Sequence, residues 1–275
     1  MSFSERYGYR EVKDVVQRES MDEDLRVGLW NVLDIAVWSL VTYDNLADSG
    51  YYQLSARVWC GYLKRPLDTM PERWSGVRAY FREHVFDAPW YAVYDFLEVM
   101  VNDESQDERD LAELLNDVLH AEIAAYRFVG GRVTEITSPE EIAAIEDALA
   151  ATGAVPGVGT HLRTALDLLA DRDSPDYRNS IKESISAVEA MVNRAAGTSG
   201  KTLGVALAKL SIQTHPALDG AFSKLYGYTN DSSGIRHALM DEPNLEFEDA
   251  KFMLVACSAF VNYLVAKAAR AGISV

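Results

Sequence analysis

Cysteine is scarce in this chain of 275 residues, which holds only Cys60 and Cys257. They fall in separate apolar stretches and form no metal-type pair. A disulfide framework is therefore excluded, and a reducing, cytoplasmic setting is expected. Basic charge is short as well: 26 Lys+Arg stand against 42 Asp+Glu, a net charge of −16. Taken over the whole chain, that acidity argues against nucleic acid as a partner. The opening MSFSERYGYREVKD has no apolar core, so no secretion signal is expected. The longest apolar run, Phe252 to Ala266, is shorter than the roughly 20 residues of a membrane span. Ser258 and Asn262 interrupt it, so it reads as a buried helix and no membrane partner is expected.

Several motifs are also missing. HExxH, paired CxxC, the EF-hand loop and GxSxG do not occur. GAVPGVG and GTSGKT are glycine-rich, but neither has the spacing of a phosphate loop, and both lie among helical patterns rather than after a strand. Glu113, Asp117 and His120 share one helix face, yet Leu111, Leu114, Leu115 and Val118 mark the opposite stripe. The acidic face is thus expected to meet water. No metal and no cofactor are expected.

What is present is helical periodicity, in two blocks. Ser20 and Glu23 have capping-box spacing, and Leu25, Leu29, Val32, Leu33, Ala36 and Leu40 recur at helical intervals behind them. Further helices are expected at Tyr52–Leu63, Arg73–His84, Trp90–Val101 and Arg109–Ala125. Gly130-Gly131 between two β-prone runs signals a tight hairpin. Ser138, Pro139 and Glu141 mark the start of another helix. ATGAVPGVGT, residues 151–160, is the clearest linker, so the domains are expected at 1–152 and 158–275. The second block carries helices through Leu162–Leu169, Ile181–Val192, Leu203–Ile212 and Ala217–Tyr226. A last helix from near Phe247 has Ala250, Leu254, Cys257, Val261, Leu264 and Ala268 as its inner stripe. The expected fold class is mainly α: a helical domain ending in a small β-hairpin, then a helical bundle. Charge follows the same division. Residues 1–156 hold 14 Lys+Arg against 29 Asp+Glu, and residues 157–275 hold 12 against 13. The second block could therefore approach phosphate.

Arg236 and His237 stand side by side in NDSSGIRHALMDEP. A guanidinium can pair with phosphate through two hydrogen bonds, and an imidazole can exchange a proton near neutral pH. RNA brings its own 2′-hydroxyl nucleophile, so the two side chains can suffice without metal.

The segments DYRNSIKESISAVEAMVN, TLGVALAKL and HPALDGAFSKLYGYTNDSSGIRHA, with the long apolar helix after them, resemble the C-terminal HEPN-type domain of bacterial abortive-infection proteins. FSERYGYREVKDVVQRESMDEDLRVGLWNVL resembles an AbiJ-type N-terminal domain. The resemblance implies an antiphage, toxin-like effector acting as a metal-independent endoribonuclease. It implies RNA as substrate, a homodimer through the bundle, and a phage trigger or regulatory partner. His237 matches the catalytic His of that family. The family's Arg is expected at 231–233, where this chain has Asp231, Ser232 and Ser233; Arg236 then stands as its candidate replacement. Arg178-Asn179 looks like the Arg-Asn half of the motif with no His in step. With Lys182 these residues are candidate RNA contacts. The alternative is a degenerate HEPN module that binds a partner or a nucleotide without cleaving RNA.

Overall fold

A computed structural model describes residues 15–103, 111–152, 157–171, 174–201 and 245–273, with isolated positions among 3–9, 155 and 205–225. The chain is mainly helical, with one two-stranded hairpin among the described residues. It divides into two compact units, Met1–Glu135 and Ile136–Val275. The helices expected at 203–212 and 217–226 lie outside the described residues, isolated positions apart.

In the first unit, α1 (Glu23–Ala36) is capped by Asp22, whose side chain accepts the N–H of Leu25 at 2.9 Å. Ser20 does not cap it. Gln17 Oε1 takes the N–H of Asp22 at 2.8 Å, which fills the second half of the cap that Glu23 was expected to supply. Leu25, Leu29 and Leu33 are fully buried, as the helical spacing requires. All five tryptophans of the chain belong to this unit. Trp30 packs on Trp38 at 4.5 Å between ring centroids, and Trp38 packs on Trp74 at 6.0 Å. Phe81 and Phe96 are also fully buried, and such side chains stabilise by about 2–3 kcal/mol each.

The helix expected at Tyr52–Leu63 changes form partway. The α-helical turn α2 (Tyr52–Ala56) widens into a π-helical segment, Arg57–Tyr62. Trp59 lies within the widened segment, and its indole N–H donates to Pro66 O and Thr69 Oγ1, both at 3.1 Å, which ties the following chain to it. Lys64 ends the segment with a positive φ of 53°. Beyond it, α3 (Trp74–Asp87) and α4 (Trp90–Val101) pack on the π segment and on α1. Arg57 pairs at 2.8 Å with the buried carboxylate of Asp103, just past α4.

α5 (Leu111–Ala121) presents Leu111, Leu115 and Leu119 to the core and exposes Glu113, Asp117 and His120. The hairpin β1 (Arg127–Val129) and β2 (Arg132–Thr134) turns through Gly130-Gly131 at positive φ of 54° and 83°. The positive φ of Gly131 favours glycine there, and a Cβ would also make the Asn102 side chain shift. Asn116 of α5 holds β1 by donating to Phe128 O at 2.8 Å and accepting its N–H at 2.7 Å.

The second unit assembles around α9 (Phe247–Arg270), whose first turn has a reciprocal box between Glu246 and Asp249. Its expected inner stripe, Ala250 to Ala268, is buried throughout. Against it pack α8 (Tyr177–Ala195), α6 (Pro139–Ala151) and, more lightly, α7 (Val158–Ala170). α9 is long and apolar enough by composition to cross a membrane, yet its stripe is covered by these three helices. Ser138 caps α6 as expected, accepting Glu141 N–H. The carboxylate of Glu141 bonds Lys251 of α9 at 3.1 Å, and Asn262 donates to Ala144 O at 2.9 Å. α7 and α8 form an antiparallel pair; Ser180 Oγ donates to Ala165 O at 2.8 Å across it. Because α6 sits in this unit, its four carboxylates count here. The first unit then has 14 basic and 25 acidic residues, the second 12 and 17. The second unit is mildly acidic, less neutral than a boundary at 156 implied.

Tyr62 Oη lies 3.0 Å from His84 Nε2 and donates to Ala92 O at 2.6 Å, so the π segment, α3 and α4 meet there. Burial holds the His84 imidazole below its ordinary pKa and pushes the Tyr62 phenol up to about 12. As pH falls through about 6.5, the unfolded chain takes a proton that the folded His84 resists, so stability falls. Asp95, raised by burial, acts in the opposite sense. His84→Gln keeps a donor toward Tyr62 and removes the titration. Melting temperature measured from pH 7 down to about 5.5 is expected to fall less steeply in this variant. Equal slopes would contradict the assignment.

Candidate functional site

Arg236 and His237 lie outside the described residues. Arg178, Asn179 and Lys182 occupy the first turns of α8. Asn179 serves the helix cap: its N–H and its side-chain amide both donate to Asp176, at 2.9 and 2.6 Å. Arg178 is half-buried and Lys182 exposed. At 100° per residue, Asn179, Lys182, Ser186 and Asn193 fall along one stripe of α8, and this stripe leads to a cavity.

The cavity, about 580 Å³, lies where the start of α7 passes the second half of α8, and residues 198–201 form its far wall. His161 comes from α7, Ser186, Glu189, Asn193 and Arg194 from α8, and Lys201 from the loop. His161 Nδ1 is 2.6 Å from Glu183 Oε2, so the carboxylate fixes the ring and leaves Nε2 for the cavity.

Asn193 sets the loop. Its amide donates to Glu189 O at 2.9 Å and Lys201 O at 2.8 Å, and accepts from Thr198 Oγ1 at 2.9 Å and Lys201 N–H at 3.2 Å. A residue only 9% exposed thus has its hydrogen-bonding capacity filled, with three of its four bonds spent on an exposed turn. Gly197 and Gly200, both at φ 62°, give the turn its positive-φ corners. The described part of GTSGKT, Gly197–Lys201, is therefore a turn after α8 that is built to a fixed shape; whether a helix follows it lies outside the described residues. Nothing in the sequence singled out His161, which sits one position after the glycine-rich linker. Its partner lies 22 residues away on another helix, and that pairing has no local signature.

Other clusters are less promising. A larger cavity of about 760 Å³ in the first unit is walled by Asp44, Asp68, Glu72 and Arg73. Asp44 there is occupied by the Ser75 N–H at 2.8 Å, which holds its carboxyl below the ordinary range, and faces Arg73 at 3.9 Å. Asp22, Asp24 and Glu122 approach one another, but Asp22 already caps α1. Cys60 is exposed; Cys257 is buried in α9 with its thiol pushed up to about 12.

The first unit is thus an aromatic-cored helical domain that closes with a glycine hairpin. The chain belongs to the AbiJ N-terminal domain 4 family, whose model matches residues 1–151. That family sets the protein in the context of abortive infection, a defence function. No curated protein and no solved structure matches the chain.

Asn193→Ala leaves loop groups without partners, and about 2–3 kcal/mol of stability is expected to go with them. Urea denaturation measures the loss, and trypsin is expected to cut after Lys201 sooner in the folded variant. Unchanged stability and unchanged cleavage would show that Asn193 does not set the loop.

Proposed function

We propose that the second unit is the effector of an abortive-infection protein: an HEPN-type endoribonuclease that cleaves RNA without a metal ion. His237 exchanges a proton with the 2′-hydroxyl or the leaving oxygen, and Arg236 neutralises charge building on the phosphate. Attack of the 2′-oxygen on phosphorus breaks the bond to the 5′-oxygen, which takes up a proton, and leaves a 2′,3′-cyclic phosphate. The observation that supports this reading most is sequence order: Arg236-His237 precedes a long apolar helix around which the other helices of the unit pack. The protein acts in the cytoplasm as a homodimer through this bundle, with Arg178, Asn179 and Lys182 as further RNA contacts. A phage-derived trigger or regulatory partner acts through the more acidic first unit.

Asp231, Ser232 and Ser233 stand where the family's arginine is expected, and this favours one other reading, a non-cleaving HEPN module. Wild type, Arg236→Ala and His237→Ala are to be expressed in a bacterial host, with growth and total RNA followed, and then assayed on single-stranded RNA in EDTA. Growth arrest and EDTA-resistant cleavage are expected for wild type, reduced at least about 100-fold in each variant. Cleavage unaffected by both substitutions would remove these residues from the mechanism. Wild type inert on RNA, in cells with and without phage infection, would favour the non-cleaving module. Light scattering at micromolar concentration is expected to give a dimer; a monomer would contradict a site shared between two copies.

A further inference from the structure

The α7–α8 cavity combines three properties. It is large enough for a nucleotide-sized ligand, since small-molecule sites run from roughly 300 to 1,000 Å³ and this one holds about 580 Å³. It is shaped by the buried Asn193 amide, whose bonds to Thr198 and Lys201 fix the loop. And in a protein of net charge −16 it carries two cations, Arg194 and Lys201, neither of which has an ion-pair partner among the described residues. Glu183 is engaged by His161, so Glu189 is the one carboxylate in the lining that offsets them.

We propose that this cavity binds a phosphate ester, with Arg194 and Lys201 gripping the phosphate and His161 Nε2 meeting a hydroxyl or ring nitrogen of the rest of the ligand. A guanidinium supplies paired N–H donors in a planar fork, and an ammonium adds a point charge. The hydroxyl of Ser199 lines the same wall. The Ser186 hydroxyl already donates to Lys182 O at 2.9 Å and remains an acceptor. The phosphate can come from a free nucleotide or from an RNA strand continuing along Lys182 and Asn179. The proposal does not depend on the RNA-cleavage reading.

Calorimetric titration of the full-length protein tests it with AMP, adenosine and a short single-stranded RNA. AMP is expected to saturate, and adenosine to bind at least about tenfold more weakly, the equivalent of 1.4 kcal/mol. Arg194→Gln and Lys201→Gln are each expected to weaken AMP by about tenfold with circular dichroism unchanged. Glu189→Gln is expected to tighten it, because a repelling carboxylate is removed; a purely structural role would not give that sign. RNA binding that both Gln variants weaken, with AMP inert, would identify the strand as the source of the phosphate. No saturation by AMP or RNA at millimolar concentration, or binding indifferent to the Arg194→Gln/Lys201→Gln double variant, would overturn the proposal. AMP binding is read directly in these titrations, so its outcome stands whether or not RNA is cleaved.

Discussion

The second unit depends on one demand: the apolar stripe of α9 must be covered along its length. Ala250, Leu254, Cys257, Val261, Leu264 and Ala268 line a 24-residue helix, and at about 25 cal/mol per Å² their exposure to water would outweigh any gain from helix formation itself. α8 supplies the longest cover and α6 the next. The same packing fixes α8 against α7, and that pair in turn creates the His161 cavity on its outer side. The polar site thus follows from an apolar requirement on the opposite face of α8.

α6 joins two descriptions of the chain. The AbiJ family model runs through it to residue 151, while the compact units divide before it, at Glu135 and Ile136. Its bonds run to α9 through Glu141–Lys251 and Asn262–Ala144. A helix counted with the N-terminal domain by sequence is therefore part of the bundle by packing. The last helix of the family's domain thus packs in the second unit, and it carries four carboxylates with it.

Much of this was legible in the residues. Repeats at three and four positions marked α1, α7, α8 and α9 because one face of each must be dry. Gly130-Gly131 marked the hairpin because a two-residue reversal needs positive φ at both positions. What escaped was non-local. The π segment carries Trp59, which reaches Pro66 and Thr69, and the Asp22 cap of α1 is completed by Gln17. The linker at 151–160 is rich in glycine as a boundary should be, yet composition cannot show that α6 before it turns toward α9. The candidate site divides in the same way. Arg236-His237 was visible as a chemical pair, whereas His161, Glu183 and Asn193 acquire meaning only when two helices and a turn come together.

Hydrogen exchange on the full-length protein tests most directly whether α6 belongs to α9. Leu264→Ala, which opens a cavity in the α9 stripe, is expected to lower protection in α6, α8 and α9 together while α1 and α5 keep theirs. Protection of α6 that instead falls with Leu115→Ala in α5, and stays unchanged in Leu264→Ala, would contradict it.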